Sequence, residues 1–173
     1  MDEKNTKRTE LNEIGEFGLI DRLTEGIKLK NKSSVKGIGD DAAVIDNGNL
    51  NTLVSTDLLV EGVHFDLTYT PLKHLGYKSA VVNFSDICAM NGIPQQLTVG
   101  LAVSSRFSVE AIEELYAGIK LACEKYNVDL VGGDTTTSIS GMFLGLTVIG
   151  VVAGNKVVYR NTANENDLIC VTG

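Results

Sequence analysis

Ala42-Ala43-Val44-Ile45, Asp46-Asn47-Gly48-Asn49 and Leu53-Val54-Ser55-Thr56-Asp57 follow one another as a short apolar run, a strong turn signal and a second apolar run. That order predicts a β-hairpin, because Asn-Gly between two β-prone runs favours the tight reversal that pairs them. Ahead of it, Gly37-Ile38-Gly39-Asp40-Asp41 forms a Gly-rich acidic loop, and the polar, basic stretch Lys28 to Lys36 is expected to be loop as well. Further upstream, Ile14, Phe17, Ile20, Leu23 and Ile27 recur at three- and four-residue steps, the mark of a first amphipathic helix.

Downstream, Pro71 suits the first position of a helix reaching Met90 and stopped by Asn91-Gly92, with Leu75, Ala80, Phe84, Ile87 and Met90 on its buried side. Leu97 to Val103 is a strand of small apolar residues. Ser108 is the expected N-cap of a third helix, with Glu110 in its first turn and a stripe of Val109, Ile112, Leu115, Ile119, Ala122 and Tyr126. Val128 to Val131 is a strand ending in Gly132-Gly133-Asp134, Met142 to Val152 is a long strand, and Val157–Tyr159 and Leu168–Val171 are expected to be short ones. Hairpin, helix, strand, helix, strand, strand is an α+β order, which predicts a mixed sheet with its helices together on one face.

Composition excludes several classes of function. Across 173 residues, 15 Lys+Arg against 22 Asp+Glu leave a net charge of −7, so the basic footprint of a nucleic-acid binder is missing. No apolar run reaches the roughly 18 to 20 residues of a membrane span, and Met1 to Asn12 is a polar lead-in, expected to be disordered, without the apolar core of a signal peptide. A cytoplasmic location and no membrane partner are therefore expected. Cys88, Cys123 and Cys170 show no C-x-x-C spacing and are expected to be small buried residues. Gly 18 and Pro 2, against about 12 and about 9 at average usage, indicate many backbone positions that need Gly.

The chemistry lies in the aspartates. Asp40 and Asp41 stand in the Gly-rich loop, Asp57 is expected at one strand end behind Ser55 and Thr56, and Asp134 at another behind Gly132 and Gly133. Asp86 interrupts an otherwise apolar helix, where a carboxylate buried without a partner would cost several kcal/mol. Each motif taken singly is equally a turn or a strand terminus. Together, carboxylates gathered at one sheet edge would repel one another unless a cation were present, and hard oxygen ligands with hydroxyls nearby suit Mg²⁺. No G-x-x-x-x-G-K-[ST], D-x-[DN]-x-[DN]-G, G-x-S-x-G or H-E-x-x-H pattern occurs. Of the two histidines, His74 reads as a surface residue and His64 as the better ligand contact; Tyr116 and Arg160 are unremarkable by pattern.

Gly37 to Ala43, Ser55 to Phe65, Val82-Asn83-Phe84-Ser85-Asp86-Ile87 and Gly132 to Thr136 resemble, in order, the motifs of the thiamine-monophosphate kinase family, over about Gly15 to Gly173. The resemblance implies the fold of ATP-using enzymes related to aminoimidazole ribonucleotide synthetase and selenophosphate synthetase. It implies an N-terminal ATP- and magnesium-binding domain whose sheet pairs with that of a second copy in a homodimer. It also implies transfer of the γ-phosphoryl of ATP to thiamine monophosphate, with no protein group acting as catalyst beyond positioning and several Mg²⁺ ions. By position, Asp41, Ser55, Thr56, Asp57, Asp86 and Asp134 match the magnesium ligands. Gly133, Asp134, Arg160 and Tyr116 match ATP contacts, and His64 matches a contact to thiamine monophosphate.

Residues 1–173 are thus expected to form one domain, cut at a boundary after Val171-Thr172-Gly173, with the family's C-terminal domain absent. Two alternatives stand beside the kinase: another ATP-dependent synthetase of the same fold, making selenophosphate or a purine intermediate, and a non-catalytic metal-binding or dimerisation module.

Overall fold

A computed structural model describes residues 11–171, and most of the polar lead-in lies outside them. Within the described residues, those up to Asn31 and those from Lys32 to Val171 form two compact units. The first is α1 (Leu11–Thr24), kinked at Gly15 and ending three residues short of Ile27.

The second unit holds β1 (Ser34–Lys36), β2 (Ala43–Asp46), β3 (Leu50–Val60), α2 (Leu72–Ala89), β4 (Ile93–Val103), α3 (Val109–Tyr126), β5 (Asp129–Thr137) and β6 (Met142–Ala153). The six strands make one sheet in the order β1-β2-β3-β6-β4-β5. Only β4 and β5 run parallel. They flank α3 in the chain, the helical crossover that a parallel pair requires.

The hairpin forms as its sequence dictates. Gly48 takes φ 91° at the reversal, and the Asp46 carboxylate accepts its N–H at 2.8 Å. β3 runs longer than the apolar run suggests because β6 pairs with it along its whole length, Leu50 to Val60. The presumed loop before the hairpin contains β1, whose Ser34 and Lys36 pair with β2.

Two other expectations fail for want of partners or because partners exist. Val157–Tyr159 and Leu168–Val171 are not strands; a 3₁₀ turn at Gly154–Lys156 ends the regular structure. Conversely, β5 does not stop at Gly132-Gly133 but continues through them to Thr137, because β4 offers a parallel ladder to Val103. Asp57 and Asp134 therefore sit inside strands, not at their ends.

α2 follows Pro71, which serves as the N-cap residue, and closes at Met90 with Asn91 at φ 62°. Leu75, Ala80, Phe84, Ile87 and Met90 are all buried, the side predicted. α3 starts as expected, with the Ser108 hydroxyl accepting the Ala111 N–H at 3.2 Å, and ends on Asn127 in the left-handed region. Its stripe is buried only in the middle, at Leu115, Ile119 and Ala122, whereas Val109 and Tyr126 at its ends are exposed.

α2 lies across β3, β6 and β4, and α3 packs along α2 and meets the sheet at β5. The two helices approach backbone to backbone: a Cβ on Gly76 would lie 1.9 Å from the Leu115 carbonyl oxygen, and one on Gly118 1.9 Å from that of Lys73. The core therefore fills one side of the sheet, where Leu53, Leu97, Leu144 and Leu146 are fully buried. The alternate residues face an open side, with Leu58 70% and Phe143 42% exposed. Cys123 is buried as expected, while Cys88 and Cys170 are exposed.

Candidate functional site

On the helix side of the sheet, β3 presents Ser55 and Asp57 in the same alternation as buried Leu53 and Leu59. α2 carries Asp86 to meet them: the Ser55 hydroxyl donates to Asp86 Oδ2 at 2.8 Å. Burial pushes the Asp86 carboxyl above its ordinary range. The Ser55 hydrogen bond opposes this, the charges of Asp57 and Asp41 add to it, and Arg160 opposes it. Asp86 thus lies half-buried in the field of two like charges, Asp57 and Asp41, a condition that a divalent cation relieves.

The loop before β2 is fixed by Asp40. Its side chain has no solvent exposure, and Oδ1 accepts the N–H groups of Asp41 at 3.1 Å and Arg160 at 3.3 Å. Lys36 Nζ stands 4.0 Å from its Oδ2 and Arg160 Nε 3.8 Å from its Oδ1. Arg160 Nη2 also donates to Asp41 Oδ1. The sequence pattern placed Asp40 in the loop without distinguishing it from Asp41. The structure turns one inward as an anchor and leaves the other half-exposed.

His64 is held by a tight turn after β3, in which the Gly62 N–H donates to the Phe65 carbonyl at 2.8 Å. His64 Nδ1 accepts the Val60 N–H at 3.0 Å, which leaves Nε2 for a ligand. At the same turn Glu61 accepts from Arg106 and from the Met142 N–H. Neither Glu61 nor Arg106 was singled out by sequence.

The remaining candidates lie elsewhere. By register, Asp57, Leu146, Val99 and Gly133 form one row across β3, β6, β4 and β5, and Leu58, Gly145, Gly100 and Asp134 form the next. Adjacent rows face opposite sides of a sheet. Thr56 and Asp134 therefore belong to the open side, while Ser55 and Asp57 belong to the helix side, and β3 is three strand spacings, roughly 14 Å, from β5.

Thr56 Oγ1 donates to the Leu146 carbonyl at 3.0 Å on that side. Gly133, Asp134 and Tyr116 line a cavity of about 500 Å³ beside β5, and burial pushes the Tyr116 hydroxyl up. Only Gly fits at 133, since a Cβ there would lie 2.0 Å from the Val99 carbonyl oxygen. Arg160 stands at Asp40 and Asp41, not at this cavity. The nucleotide candidates are thus divided, and the expected gathering of all the acids at one sheet edge does not occur. Among the described residues no three acidic, His or Cys side chains stand close enough to hold a metal ion by themselves.

The donor set nonetheless fits magnesium in kind: carboxylates at Asp41, Asp57 and Asp86 and a hydroxyl at Ser55, hard oxygens throughout, with the charges of Asp57 and Asp41 bearing on Asp86. Among the described residues no helix is long and apolar enough to cross a membrane.

Residues 39–152 match the family model described as AIR synthase related protein, N-terminal domain. The chain is 39% identical over 162 residues to thiamine-monophosphate kinase of Bacillus subtilis, covering 92% of this chain and 49% of that protein. It superposes on the structure of AaThiL complexed with AMPPCP and TMP with a TM-score of 0.79 at 34% identity, over 92% of this chain and 48% of the other. With thiamine monophosphate kinase from Aquifex aeolicus the TM-score is 0.71 at 31% identity, over 90% and 48%. The chain spans about half the length of the curated relatives it matches. On the family match and the fold, the chain belongs to the AIR synthase-related family, whose N-terminal domain occupies residues 39–152.

Proposed function

We propose that this chain is the nucleotide- and magnesium-binding domain of a thiamine-monophosphate kinase, which moves the γ-phosphoryl of ATP in line onto thiamine monophosphate to give thiamine diphosphate. One observation supports this most: Asp86, held by the Ser55 hydroxyl on the helix side of the sheet, is raised first by burial and further by the charges of Asp57 and Asp41, a cost that a bound cation would offset. The likeness to a relative whose structure holds AMPPCP and TMP supplies the ligand chemistry.

Asp41, Ser55, Asp57 and Asp86 would hold magnesium on the helix side. Thr56 and Asp134 would serve a further ion on the open side, which accords with a reaction using more than one. Bound magnesium supplies charge neutralisation for two polyanions that otherwise repel, the main demand of phosphoryl transfer to a phosphate acceptor. Tyr116, Gly133 and Asp134 would seat the nucleotide in the cavity beside β5, where the bare backbone at Gly133 permits close approach. Arg160 would turn from Asp41 toward the phosphates, and His64 would donate from Nε2 to the acceptor. No protein group need remove a proton, because the acceptor's phosphate is already ionised at neutral pH.

The open side of the sheet and the exposed edge strand β5 support a homodimer in which this face packs on its copy. The test is calorimetric titration of the purified chain with AMPPCP, with and without Mg²⁺. Binding that requires Mg²⁺ and is lost in Asp86→Asn is expected; binding indifferent to both removes Asp86 and magnesium from the site.

A further inference from the structure

We propose that Lys78 is a phosphate-binding residue for the acceptor, forming with His64 an anion subsite beside Asp57. This rests on the kinase reading above and names a residue that neither the motifs nor the comparisons point to. Lys78, Val82 and Asp86 follow one another at four-residue steps on α2, so they stack on one helix face, with Lys78 roughly 12 Å along the axis from Asp86. Over this face lies a cavity of about 260 Å³, lined by Asp57, Leu58, Leu59, His64, Lys78 and Val82. It is smaller than the roughly 300 Å³ at which whole small-molecule sites begin, so it suits a head group.

The lining selects the head group. His64 Nδ1 accepts the Val60 N–H, so the proton of the neutral ring sits on Nε2 and makes that atom a donor. Lys78 Nζ donates to the His64 carbonyl at 3.3 Å, which fixes the ammonium beside the imidazole and leaves it two further N–H bonds to give. Among the described residues no carboxylate lies within ion-pair distance of Lys78. One wall thus offers a full positive charge and a neutral donor. The other offers Asp57, which tolerates an anion only through a divalent cation. A phosphate monoester satisfies both walls: its oxygens accept from Lys78 and His64 and reach a cation on Asp57. In the transfer, one of these oxygens bonds to the γ-phosphorus as the bond from that phosphorus to the β,γ-bridging oxygen breaks. ADP leaves with the electron pair, and Lys78 keeps its proton throughout. Its charge lowers the repulsion between the acceptor phosphate and the ATP.

The test is titration of the purified chain, in Mg²⁺ and AMPPCP, with thiamine monophosphate and in parallel with thiamine, using wild type, Lys78→Met and Lys78→Arg. Met keeps the aliphatic stem, and thermal unfolding checks that each variant folds. Loss of one charge-assisted contact is expected to weaken thiamine monophosphate binding by about tenfold to a hundredfold in Lys78→Met. Thiamine and Mg²⁺-AMPPCP affinities should stay unchanged, and Lys78→Arg should recover most of the loss. Equal binding of thiamine monophosphate by wild type and Lys78→Met overturns the role of Lys78 and leaves the kinase reading standing. An equal fall for thiamine and thiamine monophosphate overturns it too, because Lys78 would then shape the pocket without binding phosphate. A wild-type chain that binds Mg²⁺-AMPPCP but no thiamine monophosphate overturns the acceptor reading and the subsite together.

Discussion

Asp86 stands between the buried Phe84 and Ile87 in Val82-Asn83-Phe84-Ser85-Asp86-Ile87, and its carboxyl is raised above its ordinary range, first by burial. A raised folded-state pKa means that Asp86 supports the metal-free fold fully below its unfolded pKa and loses that support as pH climbs through the folded value. Asp86→Asn keeps an oxygen for the Ser55 hydroxyl and carries no charge. In urea unfolding of the metal-free chain from about pH 4 to about pH 8, wild type is expected to lose stability relative to Asp86→Asn as pH rises. A gap that stays constant with pH would show that burial does not penalise the charge. Asp86 is legible in sequence because a carboxylate among buried apolar neighbours needs a reason. Asp40 is not, since two adjacent aspartates give no sign of which turns inward, and Lys78 shows its meaning only once the turn after β3 brings His64 to it.

At the scale of elements, the packing of α2 on α3 depends on two missing side chains. Gly76 and Gly118 each place bare backbone against a carbonyl of the other helix at a distance no Cβ tolerates. Gly118→Ala is expected to cost about 1–3 kcal/mol by forcing the helices apart, read as a lower urea midpoint at unchanged slope. An exposed control, Leu121→Ala on the same helix, should cost well under 1 kcal/mol, within the range of about 0.5 kcal/mol usual for surface changes. The helices themselves are legible from periodicity and capping, as Ser108 and the Asn91-Gly92 stop illustrate. The crossing is not, because a Gly inside a helical pattern says nothing about what approaches it. Strand lengths fail for a related reason. Gly132-Gly133 carries the local signature of a turn, yet β4 pairs straight through it, and Val157–Tyr159 carries the signature of a strand that no neighbour accepts.

For the whole molecule, the division between a covered and an open sheet face decides assembly. Leu58 on the open side is 70% exposed, and a charge there would face its copy in the proposed dimer. Leu58→Asp is expected to shift the sedimenting species from dimer to monomer without loss of helical signal; a chain already monomeric at micromolar concentration would remove the dimer. The α+β class and the one-sided helices follow from the order of elements, and the hairpin from its turn. The split of the acids between two faces does not, because it depends on strand registers that no local pattern encodes. The same registers govern how the protein emerges during synthesis. Among the described residues β6 follows the other five strands in the chain, yet it occupies the middle of the sheet and links the β1-β2-β3 ribbon to the β4-β5 pair. Until Ala153 has left the ribosome, the nascent chain carries two half-sheets, each with a long unpaired edge, on β3 and on β4. Such edges invite pairing with any neighbouring chain. Chains stalled before Met142 should therefore aggregate or recruit chaperones, and those released after Ala153 should close their own sheet.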